Sequence, residues 1–272
     1  MAIRLTILCE NSVRPQANLI GEHGFACHVE SPAGNFLFDT GQGFGIIQNA
    51  LTLKKDLAKL KSILLSHGHY DHTGGLPEVL RRTGPIDVHG HPDLFLARYR
   101  EDRFIGVPHR REYLEAQGAR FILDRNMREV APGLWLTGEI PRHTPFEQGD
   151  PLMTAVCCGA TSHDDILDDL SLVVESEKGL ILVLGCAHAG LVNIMDHVLA
   201  KLGRDGFYAI LGGTHLGFAD DAQFERTLQA LDNYKVEKLG VSHCTGLPHA
   251  ARLQAILGER FFFGSVGSVL EG

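Results

Sequence analysis

Hydrophobic residues along this chain come in short runs parted by turns, and the spacing within each run sorts strands from helices. The first runs are strand-like: IRLTIL from Ile3, FACHVES from Phe25 and Asn35-Phe36-Leu37-Phe38-Asp39. Pro32-Ala33-Gly34-Asn35 supplies a hairpin turn between the second and third. Residues 44–59 carry Ile46, Ile47, Ala50, Leu51 and Leu57 at helical spacing, which predicts a helix. Ser62–Ser66 (SILLS) reads as a buried strand, His67–Gly75 as a loop, Leu76–Arg82 as a helix and Ile86–His89 as another strand. Farther on, GLWLTGEI reads as a strand, and SLVVESEKGLILVLGC as a hairpin closed at Glu177-Lys178-Gly179. Helices at 191–201, 220–232 and 247–257 then alternate with the strands YAILGG, KLGVS and RFFFGSV.

The two halves of this pattern echo each other. HVESPAGNFLFDTG near residue 30 resembles VVESEKGLILVLGC near residue 175, and each hairpin leads through a helix to a strand ending in His. Those strand ends are ILLSHGH at 63–69 and AILGGTH at 209–215; VHGH at 88–91 and VSHC at 241–244 make a third pair. The echo predicts two similar β-rich halves packed face to face, with His-bearing strand ends at one rim.

Residues 92–130 break the rhythm, being polar and weakly periodic. Between Ser62 and Glu177 there are 11 arginines and no lysine. We expect an Arg-rich insertion at about 92–130, lying over one edge of a single domain that spans 1–272. Its guanidinium forks suit either a solvated surface or a flap that grips an anionic substrate.

Composition narrows the classes. A chain of 272 residues, 44 % hydrophobic and 21 % charged, buries a core without disulfides or partners. The net charge of −8, with no basic run, argues against nucleic-acid binding through bulk electrostatics. The apolar stretch in MAIRLTILCEN is too short for a signal-peptide core and reads as a first strand. The longest wholly apolar run, Leu180–Leu184, falls far short of the ~20 residues that span a bilayer. Six scattered cysteines without a CxxC pair suggest reduced thiols and a cytoplasmic protein. The unusual number is His, at 15, with several beside Gly or Asp in turns, which points to metal chemistry.

The strongest signal is His67-Gly68-His69-Tyr70-Asp71-His72, directly after an apolar strand. Two His residues two apart on extended chain can serve one ion, and after a turn Asp71 and His72 face an adjacent position. Gly68 and Gly74-Gly75 permit the tight path. Three imidazoles and a carboxylate in six residues are costly to bury unpaired, and a divalent cation removes that cost. GxGxxG is absent, which disfavours a dinucleotide enzyme.

SHGHYDHTGGL, preceded by FDTG at 38–41, resembles the metallo-β-lactamase superfamily and its HxHxDH signature. GCAHAG (185–190), GGTHL (212–216), SHCTG (242–246) and TGEIPR (137–142) are similar to a hydrolase-like subgroup. Many of that subgroup's members carry a dihydropterin ribofuranosyl-aminobenzene phosphate synthase label. The resemblance implies an α/β fold, a four-layer αββα sandwich, with one or two divalent ions, zinc first and manganese or iron as alternatives. It implies His67 and His69 at the first ion, and Asp71, His72 and His243 at the second. The middle ligands stay open: His188 is favoured as third imidazole, Cys186 is a candidate bridging thiolate, and His163 is the alternative imidazole. Asp168 and Asp169 are further carboxylate candidates. Asp39 is expected to hydrogen bond beneath the motif loop, His215 to sit at the rim, and Arg142 to touch an anionic group or form an ion pair. His89, His91, Cys9 and Glu10 are weaker candidates for site contact.

Ions held by neutral imidazoles lower the pKa of a water toward ~7, and Asp71 could bind metal and accept the proton. The expectation is hydrolysis of a small anionic ester, phosphodiester or lactone, with no nucleic acid or membrane as partner. The alternatives are transfer chemistry of the pterin-pathway type and a metal-dependent binding or sensing module.

Overall fold

The computed structural model describes residues 3–15 and 18–272, so Met1 and Ala2 of the expected first strand lie outside it. The chain opens with β1 (Arg4–Cys9), β2 (Ala26–Ser31) and β3 (Gly34–Phe38), followed by α1 (Ile46–Thr52) and β4 (Leu60–Leu64). Then come α2 (Tyr70–Thr73), α3 (Leu76–Thr83), β5 (Ile86–Gly90), β6 (Ala97–Arg100), β7 (Arg103–Phe104), α4 (Arg111–Ala116) and β8 (Ala119–Leu123). The middle holds β9 (Arg128–Ala131), β10 (Leu134–Leu136), β11 (Met153–Cys157), β12 (Ala160–His163), β13 (Ser171–Ser176) and β14 (Gly179–Leu184). The last part runs α5 (Leu191–Leu202), β15 (Ala209–Gly213), α6 (Asp221–Asn233), β16 (Lys238–Ser242), α7 (Leu247–Leu257), β17 (Phe261–Phe263) and β18 (Val269–Glu271).

Two seven-stranded sheets carry the fold, in the orders β18-β1-β2-β3-β4-β5-β8 and β17-β16-β15-β14-β13-β10-β9. The first runs antiparallel through β1, β2 and β3, then parallel through β4, β5 and β8. The second does the same, antiparallel through β10, β13 and β14, then parallel through β15, β16 and β17. The sequence echo is therefore a repeat of topology, with β4 matching β15 and β5 matching β16.

Alternation along the strands builds the layers. Ile181 and Val183 of β14 meet Leu5, Ile7, Val29 and Phe38 of the first sheet between the sheets. Leu180, Leu182 and Leu184 point the other way, onto Ile194, Met195 and Val198 of α5. Ile46, Ala50, Val79 and Leu80 of α1 and α3 cover the outer face of the first sheet. Both faces of the central strands are buried, which explains their near-continuous apolar runs. Helix, sheet, sheet, helix is the expected four-layer sandwich. No helix among the described residues is long and apolar enough to cross a membrane.

Three expectations change. The helix expected over 44–59 stops at Thr52, and Lys54 takes a left-handed φ of 57° before Asp56 caps a separate 3₁₀ turn. The motif loop contains a helical turn, α2. The Arg-rich stretch is divided: β8 is a full member of the first sheet, whereas β6 and β7 join β11 and β12 in a separate four-stranded sheet. The β11–β12 hairpin escapes pattern reading because all of β12 is exposed, so no apolar period marks it.

His28 on β2 is buried with neither ring nitrogen hydrogen bonded, and burial pushes its pKa down to about 4. The unfolded chain then binds the extra proton between pH ~6.5 and ~4, so stability is lost as pH falls through that window. We predict that His28→Leu raises stability at pH 5 more than at pH 8, by on the order of 2 kcal/mol. Denaturant unfolding at the two pH values reads the difference; an equal effect at both would contradict it.

Candidate metal centre

The strand ends bring one set of imidazoles to the rim. His67 and His69 follow β4, His188 follows β14, and His243 follows β16. Potential ligand atoms gather in groups in which all lie within 4.8 Å of one another: His67, His69 and His188; His67, His72 and Cys186; Cys186, His243 and Cys244; His23, Asp71 and His243. These groups overlap through His67, Cys186 and His243, so they form one centre with two neighbouring positions.

At the first position, His67 Nε2 and His69 Nδ1 lie 2.9 Å apart. The His188 ring packs edge-on at 4.9 Å from both of these imidazoles. The buried Nε2 atoms of His69 and His188 have no hydrogen-bond partner. Burial pushes all three imidazoles down, His69 to about 3, and the charges of neighbouring histidines push His67 and His188 further. The rings are neutral and carry unshared lone pairs, the form in which His binds a divalent metal.

At the second position, Asp71 Oδ2 lies 3.3 Å from His243 Nε2 and 3.1 Å from His23 Nε2. Burial opposes the charge on Asp71, but the bonds from His23 and His243 hold its carboxyl well below the usual range. Cys186 Sγ lies 3.2 Å from His72 Nε2, between the two positions. Burial lowers the pKa of His72, yet the charge and hydrogen bond of Asp39 raise it to about 9. The field at His72 Nε2 therefore favours positive charge. The donor set at both positions fits divalent ions.

Groups behind the rings choose which nitrogen faces the centre. Asp39, at a φ of 59°, accepts from Ser66 N and Ser66 Oγ and lies 2.7 Å from His72 Nδ1. Ser66 Oγ is 2.8 Å from His67 Nδ1, and Asn11 Oδ1 is 3.0 Å from His243 Nδ1. Glu10 accepts from His243 N at 2.7 Å, which fixes the backbone at that strand end. Glu147 accepts from Val192 N and Asn193 N, capping α5 just after the GCAHAG turn.

A buried ion network braces the motif from below. Arg98 of β6 is 1 % exposed and forks onto Asp168 at 2.9 and 2.7 Å, with its Nε on Asp164 at 2.7 Å. Asp168 in turn accepts from Gly68 N at 2.8 Å, between the two motif histidines. A side chain at Gly68 would strike the Leu94 carbonyl, so only glycine allows this path. Pattern reading misses Arg98, Asn11, His23 and Cys244, because their partners are remote in sequence; the run of arginines without lysine is the one signal pointing toward Arg98.

Other sequence candidates lie elsewhere. His163 is exposed on β12, 3.4 Å from Asp165, and joins none of the ligand groups among the described residues. His215, at a φ of 56°, stacks between His188 and Phe218 at 4.5 and 4.7 Å without entering a ligand group. Arg142 donates to the carbonyls of Asp165 and Ile166, clamping a loop and forming no ion pair among the described residues. His91 sits 3.0 Å from Glu139, and His89 is buried on β5. Cys9 is buried in the first sheet's outer core, and Asp169 accepts from Ala189 N.

We predict that His188→Ala loses the first-position metal while His163→Ala keeps it, read by elemental analysis of purified protein. Metal lost from His163→Ala and kept by His188→Ala would reverse the assignment. Arg98→Lys keeps a charge but loses the fork, and should weaken first-position affinity about tenfold. Unchanged affinity in a competitive chelator titration would remove the brace.

Comparison with known proteins agrees with this geometry. Residues 24–243 match the model of the Metallo-beta-lactamase superfamily. A Methanocaldococcus jannaschii protein named 7,8-dihydropterin-6-methyl-4-(beta-D-ribofuranosyl)-aminobenzene-5'-phosphate synthase is 30 % identical over 258 residues, covering 90 % of this chain and 88 % of its own. An uncharacterized protein of the same organism is 28 % identical, over 98 % of this chain and 99 % of its own. A crystal structure described as a metal-dependent hydrolase of the beta-lactamase superfamily superposes with a TM-score of 0.86 at 27 % identity, covering 99 % of each chain. With its sandwich, its HxHxDH turn and these matches together, the chain belongs to the metallo-β-lactamase superfamily.

Proposed function

We propose that this protein is a metal-dependent hydrolase acting on a small anionic molecule of the ester, phosphodiester or lactone class. The observation that carries the reading is the pair of neighbouring ligand positions, with Cys186 between them, beside one cavity of about 660 Å³ lined by His69, Asp71, Cys186, His188 and His243. Imidazole, carboxylate and thiol donors favour zinc, with manganese or iron as alternatives. One or two such ions, when bound, supply a Lewis acid for the substrate oxygen and lower the pKa of a water to about 7.

The chain's own residues do the rest. His67, His69 and His188 serve the first position, and Asp71, His72 and His243 the second, with Cys186 between them. Asp71 contributes negative charge and a proton-accepting oxygen beside His243. Met153 and Phe218 give the cavity apolar wall, and Arg100 and Arg103 line it from the β6–β7 hairpin. Arg100 is held by Asp150, whereas Arg103 has no carboxylate partner among the described residues. Arg103 instead donates to Tyr70 Oη at 2.9 Å and lies 5.3 Å over that ring. A guanidinium held in place without a counter-ion supports an anionic substrate. The spread of thiols without a CxxC pair supports a cytoplasmic setting.

The synthase name of the M. jannaschii relative supports a second reading, transfer chemistry of the pterin-pathway type. A panel of bis-p-nitrophenyl phosphate, simple esters, lactones and β-lactams, assayed with Zn²⁺ and Mn²⁺, separates the two. We predict turnover of at least one class, with Asp71→Asn lowering kcat by about 10²–10⁴-fold while the first position stays loaded. No turnover anywhere on the panel by fully metallated protein would contradict the hydrolase reading, and with tight binding of a small molecule it would favour a metal-dependent binding module.

A further inference from the structure

One pair of thiols at the centre, Cys186 with Cys244, has a redox chemistry that the proposed hydrolysis does not use. Cys186 follows β14 and Cys244 follows β16, and their Sγ atoms, with a ring nitrogen of His243, lie within 4.8 Å of one another. Cys244 Sγ is 3.4 Å from the Cys186 carbonyl oxygen, which it meets as a donor, and it accepts from His215 N at 3.3 Å. The Cys244 sulfur is thus held by two backbone contacts, one of them to Cys186. Both residues line the solvent-open cavity, Cys186 as a buried residue and Cys244 partly exposed.

The other four cysteines offer no comparable site. Cys9 and Cys27 are buried in separate cores on opposite faces of the first sheet. Cys157 and Cys158, 3.5 Å apart, sit exposed at the β11–β12 turn with no metal-ligating neighbour grouped with them among the described residues.

We propose that Cys186 and Cys244 form an oxidisable dithiol, converted by peroxides to a disulfide with loss of the ion at the second position. The more accessible Cys244 thiolate attacks a peroxide oxygen; the O–O bond breaks, an S–OH group forms, and one water leaves after protonation. The Cys186 thiol then attacks that sulfur and gives up its proton, the S–S bond forms, and the S–O bond breaks, the oxygen leaving with that proton as a second water. Two thiols and one hydrogen peroxide give one disulfide and two waters. Rotation of the side chains must bring the sulfurs from within 4.8 Å to the ~2.05 Å of a disulfide. That turns Cys186 Sγ away from His72 Nε2, which it now approaches to 3.2 Å, and removes a soft donor from the second position. In the other direction, an ion held by Cys186 occupies the lone pair that the second step needs.

The site-selectivity has a geometric cause. The pair spans two strand ends of the second sheet, β14 and β16, which sit either side of β15. The intervening strand end is Gly213, where an added Cβ would crowd the Cys244 sulfur at 2.7 Å and the Cys186 Cα at 3.3 Å. Glycine at that point leaves the gap across which the two thiols meet.

The test uses the full chain carrying Cys157→Ser and Cys158→Ser, which removes the exposed pair and leaves four thiols of the original six. The protein is treated with hydrogen peroxide with and without bound Zn²⁺, quenched, denatured and titrated for thiols. The expected result is a fall from four thiols to two, reversed by dithiothreitol. Trypsin should yield a cross-linked pair, Gly179–Lys201 with Leu239–Arg252, lighter by two hydrogens than the sum of its parts. Pre-bound Zn²⁺ should slow cross-linking at least about tenfold, and a chromophoric chelator should register Zn²⁺ release in step with disulfide formation. Cys244→Ser, which leaves the Cys186 donor in place, should bind Zn²⁺ and give no cross-link. Oxidation of either residue to sulfinic acid without the cross-linked peptide would overturn the dithiol. A disulfide that forms with all Zn²⁺ retained would overturn its coupling to the metal.

Discussion

The cost of burying imidazole nitrogens without partners is the constraint on which the rest of this structure depends. His69 and His188 each keep a buried Nε2 with no hydrogen bond, and His67 faces His69 at 2.9 Å. Burying polar atoms in this way costs about 1–3 kcal/mol each unless something satisfies them. A cation satisfies several at once, and the surrounding groups are arranged for it. Asp39, Ser66 and Asn11 engage the outer nitrogens of His72, His67 and His243, so the inner nitrogens converge. The local strain of the motif, including a left-handed Asp39 and an obligatory Gly68, follows from that convergence.

The repeated topology supplies the convergence cheaply. Each half ends a parallel strand at the same rim, so β4, β14 and β16 deliver His67, His188 and His243 without long excursions of chain. Open α/β sheets place sites at strand ends for the same reason. The small sheet of β6, β7, β11 and β12 then closes one side of the centre. It anchors there through Arg98 on Asp168 and through the Tyr70 N–H donated to the Ile105 carbonyl at 3.0 Å. A polar, Arg-rich stretch thereby becomes both brace and cavity wall.

Much of this is readable in the amino-acid order, for a physical reason in each case. Central strands such as β14 are buried on both faces, so their apolar runs are long and unmistakable. HxHxDH is local, and its four ligand-type side chains, His67, His69, Asp71 and His72, need no knowledge of the fold to be suspected. Residues whose role depends on distant partners are hidden: Arg98 meets Asp168 across seventy residues, and Asn11 meets His243 across more than two hundred. His163 misleads because a histidine among aspartates looks like a ligand, while the exposed β12 hairpin that carries it has no apolar signature. Cys186 is the instructive middle case. Its sequence context leaves packing and ligation open, and only its 3.2 Å approach to His72 places it at the centre.

Anomalous diffraction from crystals grown with one chosen metal tests the central claim most directly. Data collected at the zinc edge should show one peak among His67, His69 and His188. In fully loaded crystals a second should appear among Asp71, His72 and His243, with the His67–His69 ring contact opened around the first ion. A map with no peak at either position, and with the imidazole nitrogens still facing one another or bonded to water, would contradict the account.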